Sequence, residues 1–387
     1  MMKMNKRRIG AWLLAALTLM TLASCSKGNA ARAFDVATAT TQNESQEEHR
    51  LTLLFAGDLM QHGPQIKAAL QADGSYNYDE CFARVKKVID SADVAIANFE
   101  VTLGGRPYTG YPQFRAPDEY LHAVVDAGFD VLLTANNHCV DSHKAGLERT
   151  IAMMDSVGVP HLGTYVDQEE RRQCYPFLLE QNGIRVVLLN FTYDTNGIPV
   201  QKPNVVNLID TAQIAADIER AHTMMPDVII ALPHWGIEYQ TVPSKQQREL
   251  ARWLMDKGVD HVIGGHPHVA QPLELSPDSC HLVAWSMGNV ISNQSKPNTY
   301  GGYMVHMELT KKGGGTTRLS DCGYTLYWVS RPADNGHKHN YRILPIDEPD
   351  EGLTATEQRL RNAIRTSMRR LMEKHNVGNI KEMTSEW

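Results

Sequence analysis

Six short stretches of this chain carry side chains that bind cations or move protons: Gly57-Asp58, Asn98-Phe99-Glu100, Asn136-Asn137-His138, His234-Trp235-Gly236, Gly265-His266-Pro267-His268 and Gly288-Asn289. Each follows a short apolar run. Taken singly, Asp58 or Asn137 reads as a cap or turn former, and His234 as a hydrogen-bonded structural histidine. Taken together they change meaning, because open α/β sheets place ligands beyond the carboxyl ends of their strands. Carboxylates, amides and imidazoles delivered to one rim suit a divalent transition metal.

The elements that must position these groups are legible as periodicity. Apolar runs at 51–56, 94–97, 131–135, 186–190, 228–232, 262–264 and 282–287 read as buried strands, and segments near 79–91, 117–127, 143–157, 211–224 and 244–257 as helices. Such alternation predicts βα units with strands covered by helices. Residues 304–309 and 324–329, on either side of the glycines at 313–315, predict a late hairpin. In the tail, Leu360, Ile364, Met368, Leu371 and Met372 recur at helical spacing among charges, which predicts an amphipathic helix over 354–375 that packs on the domain.

Lys3, Lys6, Arg7 and Arg8 precede an apolar run at 9–22, and small residues then lead to Cys25. That order is a lipoprotein signal sequence with a lipobox, and the run falls short of the roughly 20 residues that span a bilayer. The expectation is cleavage after residue 24, lipidation of Cys25 and an extracytoplasmic protein anchored to the bacterial envelope. The formal charge of the whole chain is −6, and loss of four leader cations takes it to −6 − 4 = −10. Such a surface repels phosphate backbones, so nucleic acid is not an expected partner. Residues 25–50 have the polar composition of a tether. Cys81, Cys139, Cys174, Cys280 and Cys322 form an odd set without short CxxC spacing, which argues against a cysteine zinc site.

The ordered motifs GDLMQH, NFEVTL, ANNHCVD, PHWGIEY, GGHPHVAQ and SMGN across residues 57–289 resemble the signature of the CapA, or poly-γ-glutamate synthesis, family. The resemblance implies an α/β, calcineurin-like metallophosphoesterase fold: a four-layer sandwich of two facing mixed β-sheets flanked by helices. It divides the chain into a leader (1–24), the tether (25–50), the metallophosphoesterase-like domain (51–330) and a C-terminal extension (331–387). By that likeness Asp58 is a ligand of a first metal, Glu100 stands at the bridging position, Asn137, His234 and His266 serve a second metal, and His268 reaches back to the first. His138 faces substrate as general acid or phosphate contact. One or two ions of Mn, Fe or Zn are implied, and two ions about 3.5 to 4 Å apart hold both oxygens of a displacement. The chain departs from the usual pattern at Met60, where the family of phosphoesterases has histidine, with His62 two residues further on as a substitute. It departs again at Glu100, which follows Asn98 and is one methylene longer than the usual aspartate.

Around this set, Glu238 is a candidate to orient His234 or touch substrate, Asn289 to cap the site, and Arg115 to clamp an anion with its fork. Trp235 and Tyr239 read as core in preference to a platform that stacks on a sugar, Cys139 as a buried inert thiol, and Asp141 as the N-cap of the helix beginning near Ser142. Two functions follow as expectations. One is a metal-dependent hydrolase acting on a phosphoester or amide bond in capsule, poly-γ-glutamate or other envelope polymer metabolism. The other is a non-catalytic binding, assembly or export factor for an anionic polymer or its precursor, working with other capsule synthesis and export proteins.

Overall fold

The computed structural model describes residues 48–385. The leader, Cys25 and nearly all of the tether lie outside the described residues. The strands that frame the site are β1 (Glu48–Leu59), β2 (Val94–Phe99), β3 (Val131–Leu133), β4 (Ile184–Thr192), β5 (Val228–His234), β6 (His261–Ile263), β7 (Leu282–Ala284), β8 (Asn289–Ile291), β9 (Gly301–Lys312) and β10 (Arg318–Ser330). The helices used below are α1 (Gly63–Ala69), α2 (Asp118–Asp126), α3 (His143–Val157), α4 (Thr211–Thr223), α5 (Lys245–Asp256) and α6 (Ala355–His375).

A nine-stranded sheet runs from Arg342–Pro345 through β10, β9, β1, β2 and β3 to His161–Leu162, with β8 added beside the end of β1. A six-stranded sheet runs from Leu273–Leu275 through β7, β6, β5 and β4 to Phe177–Gln181. Both are mixed: β1, β2 and β3 are parallel, as are β4, β5, β6 and β7, while β9 runs antiparallel to β1 and β10, and the outer strand Phe177–Gln181 antiparallel to β4. Strands that are buried on both faces need apolar side chains throughout, which is why β5 reads VIIALPH with every residue buried.

The period of two along β1 sorts its side chains into two cores. Leu51, Leu53 and Phe55 share one with Leu188, Ile230 and Val262 of the other sheet, so the sheets face each other. Leu54 and Ala56 point the opposite way, toward Tyr120, Leu121 and Val124 of α2. On the far side, Ile214, Ile218 and Ala221 of α4 and Ala251 and Leu254 of α5 pack against the six-stranded sheet. The sequence of layers is therefore helix, sheet, sheet, helix.

The expected hairpin is β9 and β10, paired from Gly301↔Trp328 to Thr310↔Arg318. The tail helix α6 is capped by Thr354, whose hydroxyl accepts from the Glu357 N–H while the Glu357 carboxylate accepts from the Thr354 N–H, and it buries Met368 and Met372. The single helix expected over 79–91 is two, Asp79–Phe82 and Lys86–Asp90. Tight bonds from the Cys81 N–H to Tyr78 and from the Val85 N–H to Phe82 interrupt it, turning Cys81, Phe82, Val85 and Ile89 into one core. Helix α1 and strand Phe177–Gln181 are short and lay outside the sequence reading.

Candidate metal centre

Register builds the centre. Asp58 ends β1 between two amide-bearing neighbours, paired with Asn98 on β2 and Asn289 on β8. On the other sheet, His234 ends β5 between Thr192 of β4 and Gly265. Gly265 keeps this approach open, since a Cβ would lie 3.0 Å from Asp58 Oδ1 and press on that carboxylate. The next turn places His266 at φ 97° and His268 at φ 59°, left-handed backbone that costs non-glycine residues energy and is found where a site demands it.

The result is a buried set of donors. Asn98 Nδ2 donates to Asp58 Oδ1 at 2.8 Å and to Glu100 Oε2 at 3.1 Å. His268 Nδ1 lies 3.2 Å from Asp58 Oδ2 and 3.0 Å from Asn289 Oδ1, and the His266 N–H donates to Asp58 Oδ2 at 3.3 Å. Asn137 Oδ1 is 2.8 Å from His234 Nε2. Glu100 Oε1, fully buried, has no hydrogen-bond partner; it sits 3.8 Å from His234 Nε2 and 3.7 Å from His268 Nε2. Those separations are too long for hydrogen bonds. His266 Nδ1 is likewise buried without a partner, and ligand atoms of Asp58, Glu100 and His234 all lie within 4.8 Å of one another. Orphaned polar atoms in a dry interior cost free energy, and a cation among them removes that cost. The residues fit a divalent metal.

Electrostatics agrees. Burial, reinforced by the Asp58 charge, pushes the Glu100 carboxyl well above its usual range. Burial alone would raise Asp58 as well, but the hydrogen bonds from His268 and Asn98 to its carboxylate help hold it below its ordinary value. Burial lowers His234 to about 3 and His266 well below the ordinary imidazole range, leaving both neutral and ready to coordinate.

His138 stands on the adjoining wall. Its Nδ1 is 2.7 Å from Asp141 Oδ2, the same oxygen that accepts from the Phe114 N–H at 2.6 Å. Asp141 is thus not the helix cap: Ser142 occupies that position, and the buried Asp141 carboxylate holds the His138 ring. Asn136 fixes the loop, donating to Asn98 Oδ1 and the Phe99 carbonyl and accepting from the His138 N–H. Asn196, at φ 51°, accepts from Asn137 Nδ2 and brings its own amide 3.4 Å from His138. Tyr193 packs over His266 at 4.5 Å between ring centroids. Asn196 and Tyr193 went unread in the sequence because they follow β4 in a stretch without a motif.

Other expected residues are placed differently. His62 caps α1 and leans on Phe114, with its Nδ1 beside Gln65 Oε1 and the Asn293 N–H, and does not replace the missing histidine. Met60 in that position is buried in the apolar core. Glu238 is exposed and does not orient His234, whose ring contacts Asn137 and Asn98 instead. Arg115 is half-buried with Nε on Ser142 Oγ at 3.1 Å. Trp235 is core, stacked on Trp285, but Tyr239, expected there too, is 36% exposed. Cys139 is buried and its thiol is pushed up to about 12 by desolvation, so it is inert.

Residues 52–294, more than half of the chain, match the family described as bacterial capsule synthesis protein PGA_cap. The chain belongs to that family. It is 25% identical over 286 residues to PGA biosynthesis protein CapA of Bacillus subtilis (strain 168), covering 71% of this chain and 72% of that one. It is 27% identical over 284 residues to capsule biosynthesis protein CapA of Bacillus anthracis, covering 69% and 66%. Among solved structures it is similar to the calcineurin-like phosphoesterase YfkN from Bacillus subtilis, with TM-score 0.43 and 15% identity over 85% of this chain and 99% of that one. The PGA_cap match begins within β1 and ends just past β8, and so contains every donor of the centre.

Proposed function

We propose that this PGA_cap protein is a surface-anchored lipoprotein that hydrolyses a phosphoester or amide bond in an envelope polymer or its precursor. The observation that carries the reading is the pairing of a buried donor cluster, with Glu100 Oε1 and His266 Nδ1 left orphaned, and a carboxylate-held imidazole beside it. A bound divalent ion supplies Lewis acidity and lowers the pKa of water. Asp58, Glu100, Asn137, His234, His266 and His268 would hold it. His138 would act in its doubly protonated form, with its Nδ1–H on the Asp141 carboxylate and its Nε2–H given to the leaving group, while Asn98 and Asn136 keep the loops at fixed spacing.

One observation favours the non-catalytic platform: Met60 fills the place of a first-metal histidine with an apolar side chain. The two readings separate on one experiment. After reconstitution with Mn²⁺, Zn²⁺ or Fe²⁺, metal content and turnover of a model phosphodiester and of γ-glutamyl amides are measured for the parent, His138→Ala and His266→Ala. Hydrolysis predicts that His138→Ala keeps its metal and loses about 10²- to 10⁴-fold in rate, and that His266→Ala loses both. A metal-loaded parent inert on every bond class, with polymer binding intact in both variants, establishes the platform instead.

A further inference from the structure

Nine large apolar side chains stand exposed among the described residues, and five of them, Tyr193, Leu208, Ile237, Tyr239 and Val242, lie on the two loops that leave β4 and β5. Exposed apolar surface gathered in one place marks a binding surface, whereas single residues scattered over a protein do not. The same two loops, with α5, wall a cavity of about 550 Å³, inside the range of roughly 300–1,000 Å³ of ligand sites. Tyr193 and Ile209 come from the first loop, Trp235 and Ile237 from the second, and Leu250 and Trp253 from α5.

One ring joins this cavity to the metal centre. Tyr193 lines the cavity, and its ring packs 4.5 Å from that of His266 and lies nearly parallel to that of His234 at 6.5 Å between centroids. Tyr193 is 42% exposed, so the ring between the cavity and the imidazoles stands at the surface and not in the core.

The lining distinguishes one occupant from another. It holds no lysine or arginine, and its one carboxylate, Glu249, lies 3.5 Å from Lys245 Nζ, so it offers no unpaired charge to an ion. Its inner polar groups are engaged as well. Gln247 donates to Gln271 Oε1 at 2.9 Å and accepts from the Ser244 N–H at 2.9 Å, and the Ser244 hydroxyl accepts from the Gln247 N–H. Thr211 and Gln246 are exposed. A sugar ring would leave hydroxyls unpaired against the apolar wall, which costs free energy. A single aromatic ring underfills the space, since a cavity of roughly 150 Å³ already holds benzene. An aliphatic chain needs no hydrogen bonds, bends to fill an irregular space and is stabilised by each methylene removed from water.

We propose that this cavity binds the aliphatic chain of an amphiphilic substrate whose phosphoester or amide is presented to the metal centre. The placement of the polar end rests on the hydrolase reading of that centre; the chain rests on the lining alone.

The test titrates the Mn²⁺-loaded full chain with alkylphosphonates, whose carbon–phosphorus bond is not an ester, by isothermal titration calorimetry. Octylphosphonate should bind about tenfold or more tightly than butylphosphonate, because four further methylenes leave water. Ile237→Asp, which sets a charge at the exposed edge, and Trp253→Ala, which removes part of the wall, should each erase most of that gain. Met225→Asp, at an exposed apolar residue outside both loops, should keep it. A parent whose affinity does not grow with chain length overturns the proposal, as do Ile237→Asp and Trp253→Ala proteins that both retain the parent's gain. Tighter binding of 2-phenylethylphosphonate than of octylphosphonate also overturns it, in favour of an aromatic occupant. Decylphosphonate and geranylphosphonate, equal in carbon count, separate an acyl-type chain from an isoprenoid one, and a preference for either supports the proposal and names the source. Turnover of octyl phosphate and of an octyl amide is read in parallel. A protein that shows the gain with chain length yet hydrolyses neither counts against the hydrolase reading and leaves the occupant standing, and one that hydrolyses alkyl phosphates with no dependence on length does the reverse.

Discussion

At the scale of single residues, Asp141 carries more of the chemistry than its place before a helix suggests. One carboxylate oxygen accepts from both Phe114 and His138, so removing its charge releases the ring proposed to donate the proton while the polypeptide around it stays hydrogen-bonded. Asp141→Asn should therefore lower turnover by about 10- to 100-fold, the usual cost of an orienting partner, with metal content equal to the parent's. A variant as fast as the parent would remove Asp141 from the mechanism. Asp58, Asn137 and His234 were readable because each follows an apolar run; Asp141 was misread because the helix starts at His143, with Ser142 as its N-cap, one residue later than its sequence implies. A shift of one residue in a cap lies below what propensity resolves.

At the scale of elements, α6 illustrates how much local sequence can specify. Thr354 and Glu357 form a reciprocal cap, and the same Glu357 carboxylate accepts from Ser330 at 2.5 Å and from Arg342 at 2.8 Å, which ties the helix to β10 and the strand beside it. Thr354→Ala should cost about 1 kcal/mol, and Glu357→Ala more, since it also removes the partner of the half-buried Arg342 guanidinium; denaturant unfolding of both variants measures the difference. A Glu357→Ala protein no less stable than Thr354→Ala would show that the cap alone matters. The leader makes an equally local prediction. If Cys25 is acylated, Cys25→Ser should move the protein from the membrane to the soluble fraction of fractionated cells, and a variant that stays membrane-bound would refute lipid anchoring.

At the scale of the whole molecule, the buried imidazoles set the response to acid. Burial lowers His261 to about 3 and His306 to about 4 against 6.5 for a free imidazole. Between those limits the unfolded chain binds protons that the fold excludes, so their contribution is present above about pH 6.5 and is lost as pH falls toward 4. His62, His234 and His266 act in the same direction, and the raised carboxyls of Glu100 and Asp260 oppose them. Five imidazoles against two carboxyls give the sign: the melting midpoint of chelator-treated protein should fall steadily from pH 7 to pH 4, and a flat or rising profile would contradict it. Added Mn²⁺ should raise the midpoint at pH 7 and do so less at pH 5, because a proton competes for the Glu100 carboxylate, whose hold on it burial strengthens. The sequence by itself determined the alternation of strands and helices, the late hairpin, the tail helix and the donors at the strand ends. Each is written in short-range periodicity and in residue types that follow an apolar run. Only the tertiary structure decided that Asn98 and Asn289 flank Asp58, that Glu100 Oε1 is left orphaned between two imidazoles, that Asp141 serves His138 and that His62 stays outside the centre. Those facts depend on the register between strands far apart in the chain and on two sheets meeting face to face, and no local pattern encodes either.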